Sequence, residues 1–156
     1  MNIFVTDKCP IQSAKNLDDK RVVKMVLESA QMLCTAINFH GGKAPYLPTH
    51  INHPCTVWAR TNRANFFWLH RHFVALCDEY TSRYNKTHKC AQYIGELESL
   101  SSYIPDGELT PFANCAANQS VGISYKHMDD VVSAYKLYLD DRWSLDKRTP
   151  TWYGEL

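Results

Sequence analysis

A long helical repeat dominates the first third of the chain, over residues 14–39. Apolar residues recur there every three or four positions, which is the period of one face of an α-helix. The run stops at Gly41 and Gly42, and glycine commonly follows a helix end because it adopts a left-handed backbone at no steric cost. A helix with a wide apolar stripe must bury that stripe against other elements. The pattern therefore predicts a bundle of packed helices.

Two further segments show the same period. One begins at Pro54 and extends to residue 84, with an interruption near Asn62, and the other covers residues 128–143. The remaining expected elements are a short helix over residues 90–100, irregular connections over 40–53 and 101–122, a turn around Pro10, and a C-terminal tail that packs back on the domain. At 156 residues the chain has the length of one domain. We expect an all-α fold over residues 1–156, an irregular single-domain helical bundle with long loops.

Composition limits the classes of function. The chain has 17 Lys plus Arg against 16 Asp plus Glu, a net charge of +1, so any nucleic-acid surface must come from a local basic face. Six cysteines are spread without a C-x-x-C pair, which predicts no metal site. With no export signal and no apolar run of membrane-spanning length, the sequence favours a reduced, cytoplasmic protein without membrane contact. Gly-rich phosphate loops, G-x-S-x-G and H-E-x-x-H are all missing from the sequence.

Polar residues share one side of the first long helix, next to its apolar stripe. Arg21, Lys24, Glu28 and Gln31 recur at spacings of three and four. A carboxylate one turn from a lysine is suited to act as a general base, or as an anion that stabilises a cationic transition state. The alternative is a solvated polar face with an ordinary Lys24–Glu28 ion pair. Spacing alone leaves both interpretations open.

The C-terminal tail combines basic and aromatic residues over positions 147–153. Trp152 and Tyr153 beside Lys147 and Arg148 form the mixture that stacks on a nucleic-acid base while contacting phosphates. The alternative is a tail that is simply anchored by a buried tryptophan. We therefore take Trp152 and Tyr153 as candidate substrate-stacking residues.

Three segments resemble a known family. They are residues 17–31, which include Glu28; Trp68-Leu69 followed by residues 79–83; and the run P-T-W-Y at residues 150–153. In this order they are similar to the small phage-type pyrimidine-dimer DNA glycosylases with AP-lyase activity. The resemblance spans most of the chain and implies the helical fold of that family.

The resemblance also implies a chemistry. An N-terminal α-amine attacks C1′ of a damaged nucleotide, expels the base and forms an imine that permits β-elimination of the strand. Glu28 takes the role of the catalytic glutamate, and the amine belongs to Met1, or to Asn2 after removal of Met1. Arg21, Lys24 and Gln31 become substrate contacts. Neither a metal nor another cofactor is implied, the substrate is DNA, and the setting is the cytoplasm of a phage-infected host cell.

The chain differs from the family pattern at several positions. Asn2 is a residue that blocks initiator-methionine removal, and Ile3 replaces a basic residue next to the nucleophile. Leu27 and Gln31 stand where the family has arginines, and Arg21 replaces a histidine. Because fewer phosphate contacts weaken binding to DNA, two alternatives accompany the glycosylase prediction. One is an enzyme acting on free or modified nucleotides, and the other is a non-catalytic nucleotide- or protein-binding phage protein that kept the fold.

Overall fold

Helices form most of the computed structural model, which describes residues 1–153. The α-helices are α1 (Pro10–Lys15), α2 (Asp19–Phe39), α3 (Pro54–Thr61), α4 (Arg63–Tyr84), α5 (Ile94–Ser99) and α6 (Val131–Leu145). Short 3-10 helices cover Lys89–Tyr93, Leu100–Tyr103 and Gln119–Val121. Two antiparallel strands of two residues each, β1 (Ala117–Asn118) and β2 (Ile123–Ser124), are paired with Ala117 opposite Ser124. The all-α prediction is confirmed.

The core lies where α2 packs against α3 and α4, and α1 also packs on α4. The apolar stripe predicted for the first long helix is buried there, since Met25, Leu33 and Ile37 are at most 1% exposed. Phe66 and Phe73 of α4 are equally buried against it. Burying one such side chain contributes roughly 1.5–3 kcal/mol. This interface therefore holds α2 rigidly and determines which side of α2 faces solvent.

Local signals explain where the long helices begin and end. The helix expected from residue 14 is divided, and α2 begins at Asp19 with Asp18 accepting the backbone N–H of Arg21 at 3.4 Å. The turn expected at Pro10 was wrong, because Pro10 opens α1 at a position where its missing N–H is no loss. The interruption near Asn62 is confirmed, and the Asn62 side chain caps α4 by accepting the N–H of Asn65 at 3.0 Å.

The N-terminal segment is inserted into the bundle. Ile3 and Val5 are 2% and 1% exposed, so alternate side chains point into the core. Phe4 between them has a φ of 57°, a left-handed conformation that a bulky residue adopts only when its surroundings hold it. Its ring packs on Tyr135 and Tyr138 of α6, with centroids 6.1 Å away in each case. The segment is therefore anchored on both sides.

The C-terminal tail returns to the start of α2, as expected. The backbone N–H of Asp19 donates to the carbonyl oxygen of Thr151 at 2.7 Å, and Trp152 Nε1 donates to the carbonyl oxygen of Asn16 at 3.0 Å. The connection predicted over residues 101–122 contains β1, which pairs with β2 just beyond it. In residues 1–153, none of the helices combines the length and apolar character that a membrane span needs.

Candidate functional site

A polar cavity of about 320 Å³ lies between the N-terminus, α2, α6 and β1. Its lining comes from every one of these elements and includes Met1, Asn2, Lys20, Arg21, Lys24, Glu28, Asn118, Tyr138 and Arg142. The cavity therefore contains Arg21, Lys24 and Glu28 from the polar side of α2 that the sequence singled out. Tyr138 and Arg142 of α6, more than 100 residues further along the chain, complete this part of the lining.

The terminal amine and Glu28 form an ion pair inside this cavity. Met1 N lies 3.4 Å from Glu28 Oε1, and the two side chains are only 3% and 14% exposed. Burial of Ile3 and Val5 directs the segment toward α2, while packing of Met25 fixes the rotation of the helix. The spacing of polar residues on α2 suggested Lys24 as the partner of Glu28, whereas the structure pairs Glu28 with the terminal amine. The carboxylate can accept a proton from this amine or stabilise a positive charge that develops beside it.

Asn2 orients the amine through its side chain. Its Oδ1 accepts the backbone N–H of Ile3 at 2.8 Å and the hydroxyl of Tyr135 at 2.7 Å. Its Nδ2 donates to the carbonyl oxygen of Cys115 at 3.3 Å. These bonds fix the residue next to Met1, so the amine is held in front of Glu28. Sequence reasoning missed Tyr135 and Cys115 because they lie more than 100 residues away from Asn2 and no local pattern marks them.

Cations surround the amine–carboxylate pair. Lys20 and Lys24 on α2 are exposed, and Arg142 on α6 donates from Nη1 to the hydroxyl of Tyr138 at 3.1 Å. These three side chains contribute positive charge to the wall, which attracts anionic groups such as phosphates. With a net charge of +1, the chain can offer nucleic acid only a local basic face, and the wall of this cavity is such a local group of positive charges.

Arg21 also lines the cavity, but its guanidinium is engaged by the protein. Nη1 donates to Asp18 Oδ1 and to Asp146 Oδ2, both at 3.1 Å. Burial opposes the positive charge of Arg21, but the hydrogen bonds and charges of Asp146 and Asp18 outweigh burial, so its pKa lies above the usual value. The geometry links α2 to the end of α6 through Arg21.

The other predicted substrate contacts lie elsewhere. Gln31 is one turn beyond Glu28 on α2 and does not line the cavity. Trp152 packs edge-on against Trp143 at 5.0 Å and, with Tyr153, lines a separate groove of about 960 Å³ whose wall includes Lys15 and Lys136. The two depressions have no lining residue in common.

A second group of ionisable side chains lies beside Asn2. The ligand-type atoms of His53, Cys55 and Cys115 lie within 4.8 Å of one another. The hydrogen bond with Cys55 lowers the pKa of Cys115 to about 7, helped by the charge of Lys126, while the pKa of Cys55 is raised well above its usual value. Burial, and then repulsion by the terminal ammonium, lowers the pKa of His53. Sequence spacing could not reveal this group, because Cys115 comes from a distant loop.

The fold and cavity define a helical protein in which an amine and a carboxylate face a cationic wall, an arrangement suited to nucleophilic chemistry on an anionic substrate. The family model for pyrimidine dimer DNA glycosylase matches residues 1–92, which contain α1 to α4, Met1 and Glu28. The chain belongs to this family of DNA-repair glycosylases, which confirms the resemblance seen in the sequence. The comparisons gave no match among curated proteins or solved structures.

Proposed function

We propose that the protein is a DNA N-glycosylase with an AP-lyase step, acting on a damaged or modified pyrimidine nucleotide. The terminal amine is the nucleophile and Glu28 is the catalytic carboxylate. One observation carries this proposal: the amine lies 3.4 Å from Glu28 in a cavity lined by cations, in a chain of the pyrimidine dimer glycosylase family. An unprotonated α-amine is a nucleophile that can attack carbon, and Glu28 is placed to take its proton.

The proposed reaction begins with displacement of the base. The amine nitrogen bonds to C1′ while the bond from C1′ to the base breaks, and the departing base takes the electron pair and a proton from water. Glu28 stabilises the positive charge on the sugar and accepts the proton that the amine loses. It then returns this proton to the ring oxygen O4′ as the bond from C1′ to O4′ breaks, which leaves an imine on the opened sugar. Removal of a C2′ proton then expels the 3′-phosphate by β-elimination, and water hydrolyses the imine to release the amine.

The position of the amine favours Met1 as the residue that carries it. Asn2 is held by Ile3, Tyr135 and Cys115, so Met1 is the residue whose nitrogen reaches Glu28. If Met1 is removed in the cell, the nucleophile becomes the nitrogen of Asn2. The mass of the intact protein identifies the mature N-terminus and should be measured with every assay below.

The surrounding cations give DNA a place to bind. We assign phosphate contacts to Lys20, Lys24 and Arg142, because these side chains line the same cavity as the reacting pair. Arg21 has a supporting role in this proposal, because its ion pairs with Asp18 and Asp146 hold α2 against the end of α6. A role for Trp152 and Tyr153 in stacking, and for Gln31 in binding, remains a prediction that concerns surfaces outside this cavity.

The test is a duplex with a single cyclobutane pyrimidine dimer, in which base release and strand cleavage are measured separately. Glu28→Gln keeps the shape of the side chain and removes its charge, so we expect a loss of about 10²–10⁴-fold in rate. Glu98→Gln, an exposed glutamate on α5, is the matched control and should keep the rate of the unmodified protein. Full activity in a folded Glu28→Gln protein would refute the catalytic role. Base release from free nucleotides without any action on the duplex would favour the nucleotide-processing alternative.

A further inference from the structure

Three side chains of the type that bind metals meet beside the N-terminus. His53 directly precedes α3, Cys55 lies in its first turn, and Cys115 comes from the loop that leads to β1. Their ligand-type atoms lie within 4.8 Å of one another, with Cys55 0% exposed. We propose that His53, Cys55 and Cys115 bind one Zn²⁺ or a similarly thiophilic divalent cation, at a three-ligand site that is distinct from the amine–Glu28 pair.

The ligand set suits this ion by chemistry and by size. Zinc bonds to sulfur at about 2.3 Å and to imidazole nitrogen at about 2.0 Å in a tetrahedron, which places neighbouring ligand atoms roughly 3.5–3.8 Å apart. A contraction of about 1 Å from the observed limit therefore closes the site. Three protein ligands leave the fourth position to water.

Charge balance also favours the ion. On binding, both thiols release their protons to solvent, so Zn²⁺, two thiolates and a neutral imidazole together carry no net charge. This matters because the charges of the terminal ammonium and of Lys126 act on both His53 and Cys115. An uncompensated dication would be repelled by these neighbours, whereas the neutral bis-thiolate complex is not.

Coordination through Nδ1 of His53 would cost one hydrogen bond. This nitrogen now accepts the backbone N–H of Cys55 at 3.1 Å, which caps α3. A single capping bond is weak compared with the binding of a zinc ion by two thiolates and an imidazole, and coordination through Nε2 would leave the cap in place. The exchange therefore favours the complex.

The ion would tighten the support of the N-terminal segment. The carbonyl oxygen of Cys115 accepts from Asn2 Nδ2 at 3.3 Å, and the backbone N–H of Cys115 donates to the Tyr135 hydroxyl at 3.0 Å. Tying the Cys115 loop to α3 therefore fixes the groups that hold Asn2. This proposal does not depend on the glycosylase reaction, since the ion takes no part in it.

A Cys55–Cys115 disulfide is the competing state of the two thiols. A disulfide needs only the two cysteines and an oxidant, and it makes no use of the imidazole placed next to them. The convergence of His53 with both sulfurs is the observation that favours the metal, and the test separates the two states.

The experiment titrates the reduced, full-length protein with Co²⁺ and then displaces it with Zn²⁺. We expect one equivalent of Co²⁺ with a thiolate-to-metal absorption band, and a higher melting temperature with Zn²⁺. Cys115→Ser and His53→Asn should each weaken binding by more than about a hundredfold. Asn is a good helix cap, so His53→Asn removes the ligand while keeping α3 capped. Cys9→Ser, at an exposed cysteine, is the control and should bind like the unmodified protein.

Three results would overturn the proposal. The first is the lack of stoichiometric Co²⁺ binding to the reduced protein. The second is binding that is equally strong in Cys115→Ser and His53→Asn, because the ligands would then lie elsewhere. The third is protein isolated without reductant that carries a Cys55–Cys115 disulfide by peptide mass mapping and, after reduction, takes up no metal.

Discussion

Helix α2 carries two sets of acidic groups with opposite surroundings. At its start, Asp18 accepts hydrogen bonds from Arg21 and from Trp143 Nε1, and Asp19 accepts from Arg83 Nη1 at 3.0 Å and from Thr151. Two turns later, Glu28 pairs with the terminal amine at 3.4 Å and faces a cavity. Asp18 and Asp19 also border a groove of about 730 Å³, but they are only 1% and 6% exposed and accept hydrogen bonds from side chains of α2, α4, α6 and the tail. Glu28 instead lies in a cavity beside the terminal amine, with Lys20, Lys24 and Arg142 in its lining.

The difference separates charges that support the fold from charges that are available for chemistry. A buried carboxylate surrounded by protein donors contributes to the geometry and cannot reach a substrate. A carboxylate that lines a cavity and lies beside a nucleophile can act on a bound molecule. The spacing of residues along α2 does not show which of Asp18, Asp19 and Glu28 supports the fold and which is available for chemistry. That difference depends on contacts with residues distant in sequence.

Arg83→Met should produce the largest change in stability. Arg83 is 9% exposed and also donates to the carbonyl oxygen of Leu17 at 2.6 Å, so Arg83→Met removes the guanidinium that pairs with Asp19 and Glu79. Breaking a buried ion pair costs about 3–5 kcal/mol. Urea unfolding measures this loss. Glu28→Gln, the comparison variant, should lose less, because it breaks a single ion pair of 3.4 Å and keeps a side chain of the same shape, whereas Arg83 serves two carboxylates and two carbonyl oxygens. Equal destabilisation by the two variants would contradict the proposal that Asp19 supports the fold and that Glu28 is available for chemistry.

The free energy of unfolding should depend on pH through His72, a buried histidine of α4. His72 is 0% exposed and its Nδ1 donates to the carbonyl oxygen of Pro10 at 3.0 Å. Burial lowers its pKa from 6.5 to about 4, so the folded protein keeps His72 neutral where the unfolded chain binds a proton. The free energy of unfolding should therefore fall by about 2 kcal/mol from pH 7 to pH 5 on this account.

Two substitutions check that His72 causes this pH dependence. His72→Gln should remove most of the loss between pH 7 and pH 5, since His72 has the largest shift, while the exposed His127→Gln should retain it. An undiminished slope in His72→Gln would mean that other groups, such as His53 and His88, whose pKa burial also lowers, control the acid sensitivity.

Smaller effects are expected from the cations of the cavity wall. Lys24→Ala and Arg142→Ala should each weaken binding to an abasic-site duplex by about 1 kcal/mol and reduce the salt dependence by about one phosphate contact. Fluorescence anisotropy across salt concentrations measures both quantities. Lys43→Ala, an exposed lysine just beyond α2, should leave affinity and slope unchanged. An identical effect from Lys43→Ala would indicate general charge attraction rather than a site.

Local signals made much of the fold predictable. The helical period located α2, and both the interruption near Asn62 and the return of the C-terminal tail to the domain were expected. The helix at Pro10 and the pairing of β1 with β2 were missed, because six-residue helices and two-residue strands leave almost no periodicity.

The candidate site was also predictable only in part from the sequence. Glu28 could be found from its spacing, and the amine came from the family resemblance rather than from any pattern. Arg142, Tyr135 and Cys115 carried no sequence signal, since only the folded chain brings them to the N-terminus. The engagement of Arg21 by Asp146 was hidden for the same reason, as the two residues lie 125 positions apart.

The most direct test of the account is to trap the imine. Borohydride reduction during reaction with a dimer-containing or abasic duplex should join DNA covalently to the N-terminal peptide, with the adduct on residue 1, or on residue 2 if Met1 has been removed. Adding two residues before Met1 should abolish the adduct, because the amine then no longer lies beside Glu28, while the fold is retained. An adduct on Lys24, or no adduct on any duplex that the protein cleaves, would contradict the proposal that the terminal amine and Glu28 form the reacting pair.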